Sequence, residues 1–378
     1  MESKKMHGGE INKSFFYAND TRYGNGNVSL FTFFSEFNRD SPASGYIEAG
    51  FLTTIFVLSI IANSVILVFM IKSKASLTVT NYFVCNLVIG DVAFVMAAPF
   101  IAYTRITGNW LLGKTMCNLM NYWMFVCGSV MIWTMTVISI DRYVCINLRT
   151  STKKRLQPRH VGAICLAIWV TTAGLFLPLY IFFHIRTIQI EHGTVTICTM
   201  IFPYTRFRVS VLFTCLLVLF GFIIPISLIG FNYFRIFKRF WASKRAVDNS
   251  ADEVVRRRRS NARRGRDVKI VKTLVLLVIV FLAMWLPLFS VFILIEEDVQ
   301  YYNNAIPSST LVWVVFIAFG NSFVNPFMYG FINIEIRRTF RTCCGRFRSV
   351  GDISVVMTRS VQDEHLPPTS VPAQTTHM

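Results

Sequence analysis

The sequence predicts an all-α membrane protein, a seven-transmembrane helix bundle with a short cytoplasmic amphipathic helix. Three observations carry that prediction. Hydrophobic residues make up 53% of the 378 residues and charged residues only 15%, and the mean hydropathy of +0.50 is too apolar for an ordinary soluble domain. Seven apolar stretches each reach the roughly 20 residues that a helix needs to cross a bilayer. Basic residues fall in alternate connections, the asymmetry of the positive-inside rule. Helices rather than barrel strands follow, because a lipid-exposed backbone must satisfy its own hydrogen bonds.

Residues 1–45 form a polar N-tail rich in Asn, Ser and Gly. It carries the glycosylation sequons at Asn12, Asn19 and Asn27, which place it outside. Its aromatic cluster of Phe31, Phe33, Phe34 and Phe37 is unusual for a purely disordered tail. The bundle is expected over residues 46–333, with spans near Ile47–Ile71, Val79–Thr104, Cys117–Ile146, Val161–Phe183, Val209–Phe237, Ile270–Ile295 and Ser308–Phe331. No cleavable signal peptide is evident, so the first span is read as the signal anchor. Lys72, Lys74, the Arg149–Arg159 stretch and the Arg235–Lys272 loop then lie inside, and Glu296-Glu297-Asp298 lies outside. The middle of Ala242–Gly265 is highly charged and is expected to be mobile. Residues 334–348 read as the amphipathic helix and 349–378 as a polar cytoplasmic tail. The net charge of +18 is read as topology and attraction to acidic headgroups rather than nucleic-acid binding.

Cysteines are used selectively. Cys117 opens span three and Cys198 lies between spans four and five; both face the oxidising side and are expected to be joined. Cys343 and Cys344 follow a basic stretch at the inner membrane edge. That position suits palmitoylation better than metal binding, since no further Cys or His lies nearby to complete a tetrahedral site.

Polar and helix-bending residues recur within the spans: Asn63; Asn86 and Asp91; Trp169 and Pro178; Pro225 and Tyr233; Phe281, Trp285 and Pro287; Asn325, Pro326 and Tyr329. Asp141-Arg142-Tyr143 closes span three, where an adjacent acid and arginine can pair and stay wet. In mid-membrane each would cost roughly 2.5–3.5 kcal/mol. In this order and spacing the motifs resemble those of the rhodopsin-like (class A) G protein-coupled receptors, from about Ile47 to Cys344. Local runs further resemble the receptors for long-chain free fatty acids. They include Ala98-Pro99 through Arg105 to Trp110-Leu-Leu-Gly113, Cys127–Thr134, Thr196–Pro203, Met284–Pro287 and Trp313 with Asn321-Ser322. The chain departs from those receptors in having Asp-Arg-Tyr where they have a Glu-Arg pair, and in its arginine-rich loop after span five.

The resemblance implies activation by long-chain free fatty acids and signalling through heterotrimeric G proteins and arrestin. It also implies a plasma-membrane location with the N-terminus extracellular and the C-terminus cytoplasmic. Met124 stands where amine receptors have an aspartate, and Phe319 where opsins carry the retinal-linking lysine, so neither ligand type is expected. The outer half offers Trp110, Tyr122, Met124, Phe125, Phe202, Phe213, Trp285, Phe289 and Trp313, with Phe100 and Tyr103, as candidate pocket walls. A good fraction of them is expected simply to pack or face lipid. Burial of a hydrocarbon chain there gains about 0.8 kcal/mol per CH₂. The carboxylate calls for a forked, charged donor. Arg105 is the candidate, with a salt bridge to Glu48 as its competing role and Arg22 as the alternative donor. Phe33 and Phe34 could close the pocket if the N-tail folds inward.

On the inner side, Arg142 can pair with Asp141 and with Asp267, and once released can meet Tyr233 or a G protein helix. Asp267 as a helix cap is the alternative. Phe281 and Trp285 are either a relay or static core. Asp91, Asn321, Ser322 and Asn325 offer a site for an allosteric sodium ion or for a water network, with Met131 replacing the hydroxyl often found beside it. No other cofactor is expected. A peptide or other lipid receptor of the same class, or a seven-helix transporter, are the alternative readings. Transport would need repeated charges at mid-bundle, where only Asp91 is found. No nucleophile–base pair or metal cluster is visible, so an enzyme is not expected.

Overall fold

The computed structural model describes residues 15–19, 27–36, 41, 43–72, 79–147, 156–190, 193–203, 208–248, 254–301 and 306–332. Seven helical stretches among them are long and apolar enough to cross a membrane. Span one is α1 (Ala43–Lys72). Span two is divided into α2 (Val79–Val95) and α3 (Ala98–Thr107). Span three is α4 (Gly113–Asn147) and span four is α5 (Pro158–Phe182). Span five comprises α6 (Val209–Val218), a π turn at Leu219–Ile223 and α7 (Ile224–Asp248). Spans six and seven are α8 (Val254–Tyr301) and α9 (Ser308–Ile332).

Breaks in these helices have local causes. Pro99, near the start of α3, lacks the N–H that a continuous helix would need, and α2 ends just before it. Gly108 ends α3 with a φ of 67°, and its N–H reaches the Thr104 carbonyl at 2.9 Å. In span five the π turn directly precedes Pro225, and the Trp133 indole N–H donates to the Phe220 carbonyl at 3.2 Å. The arginine-rich stretch differs from expectation: residues 254–265, read as part of the loop between spans five and six, form the first turns of α8. Arginine and alanine are strong helix formers, and this propensity continues the helix past the apolar span.

Polar side chains tie the spans together where apolar packing alone would allow slippage. The Asn63 amide donates to the Ser322 carbonyl at 2.8 Å, joining α1 to α9. Asn86 donates to Thr134 at 2.8 Å and accepts from the Trp169 indole at 3.0 Å, joining α2, α4 and α5. Asn232 donates to Ser139 at 3.0 Å, joining α7 to α4. Away from water such bonds have no solvent competitor, so an unmade partner would be costly.

Two hairpins form the outer cover. β1 (Phe15–Asn19) pairs antiparallel with β2 (Asn27–Phe31) in the N-tail. β3 (Phe183–Ile190) continues directly from α5 and pairs antiparallel with β4 (Gly193–Met200). Cys198 on β4 is bonded to Cys117 on α4, with the Cα atoms 5.7 Å apart. The N-tail is therefore not the unattached polar appendage its composition suggests, since residues 30–36 are buried.

Candidate ligand-binding site and signalling core

Beneath this cover lies an apolar cavity. Six spans contribute to its walls: Phe94 from α2; Met124, Phe125 and Gly128 from α4; Phe176 from α5; Leu217 and Gly221 from span five; Phe281, Trp285, Leu288, Phe289 and Phe292 from α8; and Leu311 and Val315 from α9. Asn121 and Ser129 are the polar lining residues, and no lining residue is charged. Asn121 spends its amide N–H on the Cys117 carbonyl at 2.9 Å, fixing the top of α4 beneath the disulfide. A second, adjoining cavity shares Phe125, Leu217 and Phe292 and adds Phe33, Phe213, Met200 and Glu296.

The N-tail supplies part of the roof. Past β2 the chain turns inward: the Phe33 N–H donates to the Cys198 carbonyl at 3.3 Å, extending the hairpin cover by one contact. Phe33 packs on Phe183 and Phe31 at ring separations of 5.0 and 5.3 Å, and both Phe33 and Phe34 are 2% exposed. Phe34 is itself a wall of the main cavity.

Arg105 holds this strap down, and its five N–H groups are all committed. Nε and Nη2 form a forked pair with the two oxygens of Glu48, at 2.5 and 3.1 Å. Nη2 also reaches Glu36 at 2.5 Å, and Nη1 donates to the Phe34 carbonyl and the Ser308 hydroxyl, each at 3.0 Å. The guanidinium is fully buried and lines neither cavity. The expected salt bridge to Glu48 is thus accompanied by one to Glu36, and in this arrangement Arg105 has no spare donor for a ligand. Sequence reasoning missed Glu36, whose only signal was an acid lying within the aromatic cluster, between Phe34 and Phe37. Arg22, the other candidate donor, lies outside the described residues.

Several expected wall residues face elsewhere. Tyr122 donates to the Ala173 carbonyl at 3.0 Å and packs on Tyr180, so it serves the α4–α5 contact. Trp313 is 38% exposed and packs on Phe51 and Phe316, on the outer face between α1 and α9. Trp110 is buried under the cover, with its indole donating to the Gly113 carbonyl at 2.9 Å and its backbone N–H to Thr196 at 2.8 Å. Phe202 packs with tilted rings on Phe182 and Phe213, and Tyr103 is exposed. The walls that sequence reasoning omitted, Phe94, Phe176, Leu217, Leu288, Phe292, Leu311 and Val315, carry no pattern separating them from lipid-facing neighbours.

At the cavity floor Trp285 stacks on Phe281 at 5.2 Å and lies 5.0 Å from Phe94. Below it, Asp91 is fully buried and both its oxygens accept from the Asn325 amide at 3.0 Å. Also buried in the bundle, the Trp285 indole N–H, both amide atoms of Asn321, and the side-chain carbonyls of Asn63 and Asn325 have no protein partner. A buried carboxylate beside an amide with an unpartnered oxygen suits a hydrated cation or an ordered water cluster. Met131, in the same layer, offers no oxygen. Among the described residues no group of three or more His, Cys, Asp or Glu stands together.

At the inner end Arg142 pairs with Asp141 at 2.5 Å and donates to the Thr80 hydroxyl at 2.5 Å. Tyr143 packs near Phe231, and Tyr233 is buried in an apolar layer with Met135, Ile138, Leu274, Leu277 and Val278. Pro326 is buried within α9. The Asp267 and Tyr329 side chains, those of Asn19 and Asn27, Asn12, and the Cys343-Cys344 pair all lie outside the described residues, so the Arg142–Asp267 latch has no structural account.

A family model described as "7 transmembrane receptor (rhodopsin family)" matches residues 62–329. Neuropeptide Y receptor type 2 of Homo sapiens is 29% identical over 294 residues, covering 76% of this chain and 73% of that protein. Free fatty acid receptor 4 of Rattus norvegicus is 30% identical over 334 residues, covering 86% of this chain and 90% of that protein, and the Mus musculus receptor of that name gives the same figures.

Proposed function

The chain belongs to the rhodopsin family of seven-transmembrane receptors, and from that premise we propose that it is activated by a long-chain lipid, with long-chain free fatty acids as the class. The observation that carries this reading is the main cavity, closed over by the strap and walled by aromatic and aliphatic side chains without a charge. Such a lining rewards a flexible hydrocarbon and offers little to a polar ligand. The hydrocarbon chain lies among Met124, Phe125, Trp285 and Phe289. The carboxylate approaches from the strap side, where it competes with Glu36 for Arg105. The similarity to Free fatty acid receptor 4 supports the same class. A peptide ligand is the second reading, favoured by the neuropeptide Y relatives at nearly the same identity; a peptide would have to lift the strap from the cavity.

The receptor sits in the plasma membrane with the sequon-bearing N-tail outside, as the distribution of basic residues indicates. Heterotrimeric G proteins and arrestin bind at the Arg142 end, and Cys343 and Cys344 carry palmitate. A sodium ion or waters occupy the Asp91–Asn325 site, where an ion would supply the charge that balances the Asp91 carboxylate. Asp91 holds it, and Asn321 and Asn325 orient around it. Saturated acids of increasing length, their methyl esters and a peptide panel, read by G protein activation, test the ligand class.

A further inference from the structure

Span five holds 34 residues, far more than the roughly 20 that cross the hydrocarbon of a bilayer. Its last turns, in α7, therefore lie at the depth of the inner headgroups. There one face of the helix changes character. Phe231, Phe234, Arg235, Lys238 and Trp241 recur at helical spacing and share that face. Asn232, Tyr233 and Ile236 occupy the opposite face and are buried in the bundle. The three aromatic residues of the outward face are 55%, 66% and 72% exposed, and both cations are exposed beside them.

Two details separate this face from the scattered basic residues of an ordinary inner membrane edge. A lone cation there extends its side chain away from the hydrocarbon, toward water. Arg235 does the reverse: its guanidinium turns back along the helix and lies over the Phe231 ring, 5.7 Å from the ring centre. Secondly, among the described residues no acid pairs with Arg235 or Lys238. Two cations within one turn, held at headgroup depth between exposed rings, call for an anion that arrives with hydrocarbon attached. A guanidinium takes phosphate oxygens in pairs, and an ammonium adds a point charge. Phosphatidylcholine brings its own cation and gains little from such a pair, whereas a headgroup with several phosphates gains from both.

We propose that this face of α7 is a binding site for an acidic phospholipid of the inner leaflet, one with a multiply phosphorylated headgroup. Its phosphates meet Arg235 and Lys238, its acyl chains run along Phe231 and Phe234, and Trp241 stands at the headgroup edge. The site is on the lipid-facing side of the bundle, apart from the ligand cavity, and does not depend on which ligand activates the receptor.

The test uses the full chain in phosphatidylcholine nanodiscs, with increasing phosphatidylinositol bisphosphate brominated close to the ester, since bromine quenches a tryptophan it touches. Brominated phosphatidylcholine at the same fraction gives the background. The parent is expected to show quenching in excess of that background, and Trp241→Phe to abolish the excess, which places the lipid at this face. Arg235→Ala with Lys238→Ala should need roughly twenty-fold more of the lipid for the half-maximal excess, at about fivefold per cation. Lys72→Ala with Lys74→Ala, which removes the same charge beside span one, should match the parent. An excess that is absent from the parent, or that survives in Trp241→Phe, overturns the proposal. So does an equal loss in both double variants, which would reduce the effect to net charge. A face that instead contacts a second receptor copy gives no excess for the acidic lipid, and that overturns it too. Should the Arg235/Lys238 variant fail to fold, the parent and Trp241→Phe still decide.

Discussion

Replacing Arg105 by alanine separates two roles for this residue. The structure surrounds its guanidinium with two carboxylates, a carbonyl and a hydroxyl, and leaves it fully buried. Glu48 is 4% and Glu36 is 9% exposed, so removing the arginine strands two acids that water cannot readily reach. Breaking a buried ion pair by deleting one partner costs about 3–5 kcal/mol, mostly the penalty of the charge left behind. That is a large part of the roughly 5–15 kcal/mol by which folded domains are stable. Arg105→Ala is therefore expected to lower surface expression and thermal stability in detergent, and Arg105→Lys to recover only part, since an ammonium has three donors for five acceptors. Neutralising the stranded acids, as Arg105→Ala with Glu36→Gln and Glu48→Gln, should restore much of the stability. In that rescued receptor the preference for a fatty acid over its methyl ester should remain lost, because the cation is gone. An Arg105→Ala receptor as stable and as abundant as the parent would refute the reasoning that the cluster holds the strap to spans one, two and seven.

Two further outcomes follow from the cover. Phe34→Ala removes a cavity wall buried to 2%; deleting a buried phenyl costs about 3–5 kcal/mol when the site cannot collapse, and lipid potency should fall in dose–response. Cys117→Ala frees β4 from the top of α4 and should abolish the ligand response or surface expression, whereas the free and exposed Cys215 should tolerate alanine in the same assay.

How much of this was legible in the sequence depends on what kind of contrast a bilayer leaves behind. The spans were readable because length and apolarity mark them, although α4 begins at Gly113, four residues before Cys117, and span two is broken at Pro99. The facing of side chains was not. In water a helix shows its buried face by contrast with its polar face, but in a bilayer both faces are apolar. Tyr122 and Trp313 thus read like Phe125 and Phe289, although the first pair serves helix contacts and the second lines the cavity. Arg105 was conspicuous as a cation at a span end, and Glu48 was identifiable as a partner. Glu36 was not, because its approach depends on the strap between β2 and α1, a tertiary path with no local periodicity. The helical start of α8 at Val254 was obscured by charge, which suggested mobility where propensity favoured a helix.

The central claim is that the uncharged cavity between α4, α8 and α9 takes the hydrocarbon chain of a lipid. It is tested most directly by the potency of saturated fatty acids of increasing length, measured as G protein nucleotide exchange in membranes containing the receptor. Each methylene that enters the cavity gains about 0.8 kcal/mol, or roughly fourfold in potency, until the space is filled. The account predicts that rise, followed by a plateau, with both shifted to shorter chains when Gly221→Leu narrows the wall beside Phe289. A response independent of chain length, or one confined to peptides, would contradict it.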